Sequence, residues 1–450
     1  MLVEKYLRAV DRTDPIKYLG RITRVQGILV ESTGPRAGLG EICHIIPRTG
    51  KPHLAEVVAV RDEHVQLMSY DPLFGLEIGD SVIATGSPLN VVVGPQMLGR
   101  VFDALGRPMD SKGPITIREE YPVFASPPSP MERTPISKRI DTGIRAIDAI
   151  MPIGRGQRMG IFSGSGIGKS TLLGMVARNT SADVNVIALI GERGREVREF
   201  IESDLGEEGL KRSVIIVSTS DTPALARVRG AFTATAVAEY FRDQGNDVML
   251  LFDSITRFAM SQREIGLAIG EPPTTRSYTP SVFSLLPRLL ERPGVSKKGT
   301  ITGLYAVLVE SDDMDEPVAD AVRGYLDGHI ILNRRLAERN HYPAIDILES
   351  LSRVAGRLMS PTTEQAAGKI RRLIAAHREK EDLIDVGAYA RGTDPDVDEA
   401  LDKMTQLVEF LIQGIDEYEE PASIFARAAR IAGVISEEEG IDDEAVSLFA

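Results

Sequence analysis

The sequence predicts an α/β protein in three parts: a small N-terminal β-barrel, a core of parallel sheet covered by helices, and an α-helical C-terminal domain. Three observations carry this. From about Gly160 to His329, apolar strand-length runs alternate with helical stretches, the pattern of a parallel sheet with helices on both faces. From Gly20 to Thr85 the texture is short β-rich runs broken by glycine and proline, as in a small barrel. After Thr362 no strand signal remains and the apolar period is helical.

In chain order, Met1 to Asp11 places Leu2, Tyr6, Leu7 and Val10 at near-helical spacing, so an amphipathic helix is expected over residues 1–17. The barrel is expected over 18–92, with strands at Arg21–Val30, Leu54–Val60, His64–Ser69 and Ser81–Thr85. Ser126 to Pro135 (SPPSPMERTP) is too rich in proline for regular structure and reads as a loop or strap. The core is expected over 93–360. Its strands are Met159–Ser163, Asn185–Ile190, Ser213–Ser218, Asp247–Phe252 and Thr300–Val309, and its helices include Lys169–Asn179 and Pro223–Asp243. The helical domain is expected over 361–450, with helices Thr363–Glu381, Pro395–Gln413 and Pro421–Ile431, two of them opened by proline at a first-turn position.

A chain of 450 residues exceeds one compact core, in keeping with several domains. No apolar run approaches the length that spans a bilayer, and the N-terminus lacks the apolar stretch of a signal peptide. Cys43 is the single cysteine, so an intrachain disulfide is excluded and the chain reads as cytoplasmic. The net charge of −13 argues against nucleic acid as the main partner. Asp416 to Ala450 carries ten acidic residues against Arg427 and Arg430; a solvated tail is the favoured reading, a docking surface for a basic partner the other.

Ser163 to Thr171 reads SGSGIGKST. Gly164, Gly166 and Gly168 let the backbone, with Ser165 and Ile167, turn its N–H groups toward an anion. Lys169 is placed to reach the β- and γ-phosphates of a nucleotide, Ser170 offers a hydroxyl to Mg²⁺, and Thr171 continues into the helix whose N-terminus faces the same spot. Ser163 stands where the usual pattern has glycine or alanine. The expected ligand is ATP with Mg²⁺.

Two carboxylates follow apolar strands and so fall on the same sheet edge as this loop. Asp253 ends DVMLLFD and is placed to hold Mg²⁺. Glu192, in LIGERGREV, is the candidate to activate or orient the attacking water.

With these residues identified, the chain resembles the rotary ATPase subunits. The resemblance rests on IGERGREV, the phosphate loop, DTGIRAIDAIMPIGRGQR (Asp141–Arg158) and HYPAIDILESLSRV (His341–Val354). Within that family it is most similar to the flagellar and type III protein-export ATPases, through REIGLAIGEPP (Arg263–Pro273), YTPSVFSLLPRLLER (Tyr278–Arg292) and LIDVGAYARGTDP (Leu383–Pro395). The resemblance implies a RecA-like P-loop ATPase core and a homohexamer with ATP at its subunit interfaces. It also implies that Lys169 and Ser170 serve phosphate and Mg²⁺, Glu192 is catalytic, and Asp253 is associated with Mg²⁺. Arg193 and Arg257 match arginines that approach the nucleotide, Tyr342 the aromatic on adenine, and Arg353 an arginine finger from the neighbouring subunit.

The function so implied is ATP hydrolysis that energises protein export. The expected partners are an export regulator, a stalk and chaperone or cargo proteins, with peripheral association at a membrane export gate on the inner face of the cell membrane. Two other readings stay open: a catalytic subunit of a proton-translocating rotary ATP synthase, and an RNA-translocating ring ATPase. Against the first stands VGAYARGTDP in place of an acidic run. Against the second stand the acidic composition, the lack of tryptophan and an aromatic content of 5%.

Overall fold

The computed structural model describes residues 19–116, 119–309 and 313–436. The expected helix at Met1–Asp11 lies outside them, as does the end of the acidic stretch. Strands Leu19–Gln26, Leu29–Ser32, His64–Ser69, His53–Arg61, Glu41–Ile46 and Ser81–Pro88 close, in that spatial order, into a six-stranded barrel. Alternate side chains fill it, among them Ile22, Val30, Cys43, Ile45, Val57, Leu67 and Val82. The single strand expected over Arg21–Val30 is two antiparallel strands, because the chain reverses at Gly27, which takes a positive φ of 59°.

The core sheet runs in the order Ile345–Ser352, Gly328–Leu332, Arg158–Ser163, Thr300–Leu308, Asp247–Asp253, Val184–Ile190, Ser213–Ser218, Arg100–Asp103. From Gly328–Leu332 onward every neighbour is parallel; Ile345–Ser352 alone on this path runs antiparallel, at one edge. Sheets of this kind are covered on both faces, and their strands read as continuous apolar runs: all seven residues of Val184–Ile190 are buried. The long helix Ala224–Asp243 fits closely because small residues (Ala231, Ala234, Ala236, Ala238) face neighbouring elements. The strap at Ser126–Pro135 holds only one turn of 3₁₀ helix, Pro130–Glu132.

Barrel and core are joined by a buried polar cluster. Tyr70 donates to Glu56 at 2.5 Å, and Arg229 from the long helix grips the same carboxylate through Nε at 2.8 Å. The helical domain comprises Pro361–Asp385, Pro395–Leu411 and Pro421–Ala432. Each has proline in its first turn; Ser360 and Asp394 cap the first two by accepting backbone N–H groups. Ile370, Leu407, Phe410 and Ile424 share one apolar cluster with Ile144, Ile147 and Ile150 of the core. Part of the acidic stretch is structural and not a solvated tail: Glu417 and Glu419 pair with the buried Arg145. Among the described residues no helix is long and apolar enough to cross a membrane.

Candidate active site

The site is built where parallel strands end. Arg158–Ser163 is followed by the loop Gly164–Gly168, and a helix starts at Lys169. Gly166 and Gly168 take φ of 78° and 92°, where a side chain would be strained, and this bends the loop back on itself. Ile167 is buried in the core cluster and anchors the loop, while Ser165, Gly166 and Ser170 stay exposed. The loop therefore presents its backbone and the helix N-terminus outward, the arrangement that holds phosphate.

Lys169 Nζ forms an ion pair with Asp253 Oδ1, both side chains being largely buried. Glu192 stands beside them. Burial first, and then the negative charge of Asp253, push its carboxyl up to about 7 from an ordinary 4.5, with a hydrogen bond to Glu196 acting in the same direction. Lys169 and Arg257 oppose this rise. Arg257 lies in the first turn of Ile255–Ala268, and its Cβ would be 2.7 Å from a side-chain carbon at residue 191, so only glycine fits before Glu192. Glu192 Oε1, Arg257 Nε and Ser163 Oγ are buried with no hydrogen-bond partner among the described residues. Buried polar atoms of this kind normally find partners, so their grouping around one loop marks a place for a polar ligand.

Tyr342 is 40% exposed, and its ring lies against the phosphate loop, 3.6 Å from where a side chain at Gly168 would begin. The structure thus gathers Lys169, Asp253, Glu192, Arg257 and Tyr342. Two predicted residues stay apart within one chain. Arg193 is 77% exposed and pairs with Glu196 at 3.4 Å. Arg353 follows the antiparallel edge strand, whose last residue Ser352 is opposite Gly328, the first residue of the neighbouring strand Gly328–Leu332. Arg353 is therefore at the end of the sheet away from the phosphate loop; it is exposed and makes no side-chain ion pair among the described residues.

The sequence reading missed Glu196, in the first turn of the helix Gly194–Glu199, whose contact with Glu192 spans the start of that helix. It also missed Gln413. The helix expected to run through Gln413 ends at Leu411, and Gln413 is buried against Tyr342 and the Asp141–Arg158 segment. A cavity of about 730 Å³ touches the phosphate loop at Ser163 and Gly164, but Lys169, Asp253 and Glu192 do not line it.

A phosphate loop at the end of a parallel strand, with carboxylates from two other strand ends beside its lysine, defines a P-loop ATPase. Three family models match in register with the three domains. They are the ATP synthase alpha/beta family beta-barrel domain over residues 22–86, its nucleotide-binding domain over 143–352, and the type III secretion EscN ATPase C-terminal domain over 359–427. The flagellum-specific ATP synthase of Treponema pallidum is 55% identical over 92% of this chain and 93% of its own length. That of Bacillus subtilis is 49% identical over 98% of this chain and its full length. The type 3 secretion system ATPase of Xanthomonas euvesicatoria is 50% identical over 88% of this chain and 90% of its own. The assembled ATPase EscN of the enteropathogenic E. coli type III secretion system superposes with a TM-score of 0.88 at 42% identity, over 92% of this chain and all of that one. The chain belongs to the ATP synthase alpha/beta family, in its branch of flagellar and type III secretion ATPases, and it is a nucleotide-binding ATPase.

Proposed function

We propose that this chain is one of six identical subunits of a ring that hydrolyses MgATP to energise flagellar protein export, with sites completed across subunit interfaces. The observation that carries this reading is the split of the site. Lys169, Asp253 and Glu192 meet at one end of the sheet, whereas Arg353 is exposed at the other end of the edge strand. One chain cannot bring Arg353 to its own Lys169, but a neighbouring copy can.

In this reading the loop Gly164–Gly168 and Lys169 hold the triphosphate, Thr171 continues that contact, and Tyr342 packs on the adenine. Ser170 and Asp253 offer the hard oxygen donors that magnesium takes alongside substrate phosphates, and bound magnesium supplies charge neutralisation at the terminal phosphates. As its carboxylate, Glu192 orients the attacking water and accepts its proton. Arg257 and the neighbour's Arg353 stabilise charge as the bond between the terminal phosphoryl group and the departing ADP breaks, and Arg193, exposed at the same end as Glu192, adds to that field from the interface.

EscN has been solved in complex with its central stalk EscO, and a stalk in the ring's centre is the matching partner here. An export regulator, chaperones and cargo, and a membrane export gate on the cytoplasmic face complete the proposed set. The flagellar branch is favoured over virulence secretion by RFAMSQREIGLAIGEPP (Arg257–Pro273).

The test is complementation. Lys169→Ala and Arg353→Ala proteins are each expected to lose activity, the second by about 10³-fold or more. Mixed before assembly, they form interfaces in which an intact Lys169 meets an intact Arg353, and ATPase activity returns. Mixed rings as inactive as either parent would refute the finger in trans.

A further inference from the structure

The loop after Leu411 is tied down more heavily than a connector needs. Gln413 is 3% exposed, and its bonding capacity is used in four directions. Its N–H donates to Tyr342 O at 2.9 Å, and its Oε1 accepts from Arg145 N at 2.9 Å. Its Nε2 donates to Gly143 O at 2.8 Å and to Glu417 O at 2.9 Å. Arg145, itself buried, donates to Ile412 O and pairs with Glu417 and Glu419. Arg178 on the phosphate-loop helix donates to Ile415 O at 2.6 Å. The DTGIRAID segment is thus a socket that holds this loop, and the loop holds the backbone of Tyr342 beside Gly168.

We infer that Gln413 is a positioning residue for base recognition: it fixes Tyr342 relative to the phosphate loop and so sets affinity for the adenine end of the nucleotide without entering phosphoryl chemistry. The inference rests on the reading that Tyr342 packs on the base. Only an amide fits the task. A glutamate at 413 keeps the acceptor for Arg145 N but removes both donors and buries a charge. An alanine leaves Arg145 N, Gly143 O and Glu417 O without their partners. Either change frees the loop and with it Tyr342, while Lys169 and Glu192 keep their own contacts.

The experiment uses the full-length protein under assembling conditions. KM and kcat for MgATP, and competition by inorganic tripolyphosphate, are measured for the unmodified protein and for Gln413→Ala, Gln413→Asn and Tyr342→Ala. Tripolyphosphate has the phosphates and no base, so it reports the phosphate cradle alone. Gln413→Ala should raise KM about 10-fold with kcat within about 2-fold and tripolyphosphate competition unchanged. Gln413→Asn, which keeps an amide, should fall between the two and serves if the alanine variant does not fold. Equal weakening of ATP and tripolyphosphate, or a lower kcat at constant KM, would assign Gln413 a general structural role and overturn the inference. If Tyr342→Ala raises KM and the Gln413 variants do not, positioning by Gln413 is refuted and the base contact stands. If Tyr342→Ala leaves KM unchanged, the base contact itself falls, and this inference with it.

Discussion

Lys169 and Asp253, 84 positions apart in sequence, form a largely buried ion pair at the carboxyl edge of the core sheet. The lysine that would grip a triphosphate is already neutralised, and the aspartate proposed for magnesium is already occupied by a cation. Binding MgATP therefore exchanges one set of opposite-charge contacts for another. Asp253→Asn should retain nucleotide binding, since Lys169 is freed for phosphate, but lose magnesium-dependent turnover by at least about 100-fold. Equilibrium binding of a fluorescent ATP analogue, with parallel phosphate release, checks both halves. Undiminished turnover would remove Asp253 from the metal site.

Glu192 should control both rate and stability through one proton. Its carboxyl titrates near 7 in the folded chain against an ordinary 4.5, so between those values the folded protein holds a proton that the unfolded chain lacks. Stability contributed by this group is thus lost as pH rises from about 4.5 to 7, whereas kcat/KM should rise through about 7 as the carboxylate forms. Glu192→Gln should bind ATP, lose turnover, and be more stable than the parent above pH 7 by on the order of 2 kcal/mol. Urea melts at pH 5 and 8 test this; parallel pH dependences in the two proteins would count against it.

The Tyr70–Glu56–Arg229 cluster should govern how firmly the barrel sits on the core. Glu56→Ala leaves the Arg229 guanidinium buried without its carboxylate and should destabilise by about 3 kcal/mol, whereas Tyr70→Phe should cost about 1 kcal/mol. Because the residues share one network, the double variant should lose less than the sum. Denaturant titration of the four proteins gives the coupling.

Cys43 offers a reporter of the barrel. It is fully buried on Glu41–Ile46, and burial pushes its thiol up to about 12, so the reactive thiolate is scarce at neutral pH. The folded protein should resist a thiol-reactive dye, and one equivalent should react once the barrel unfolds. Rapid labelling under native conditions would mean that the barrel opens.

The layout of the site was legible in the sequence where it is local. SGSGIGKST gives its own turn geometry, and Asp253 and Glu192 each end an apolar run, which places them on one edge of any parallel sheet. What escaped was local in a different sense. The break at Gly27 splits an apparently continuous strand, and the end of the helix at Leu411 frees Gln413, because a single backbone reversal overrides the apolar period on either side. Strands Arg100–Asp103, Gly328–Leu332 and Ile345–Ser352 were not read from the sequence either: two are four or five residues long, and the third is an edge strand with mixed burial.

The sequence by itself determined the three-part architecture, the phosphate loop and the two carboxylates, since each is set by backbone periodicity and by residues adjacent in the chain. Only the tertiary structure decided that Arg353 lies at the far end of the sheet from its own Lys169, that Arg257 is wedged against Gly191, and that Gln413 joins Tyr342 to Gly143 and Arg145. These depend on strand direction at the sheet edge and on residues up to 270 positions apart, contacts that arise only when the packed core brings distant segments together and that leave no periodic trace along the chain.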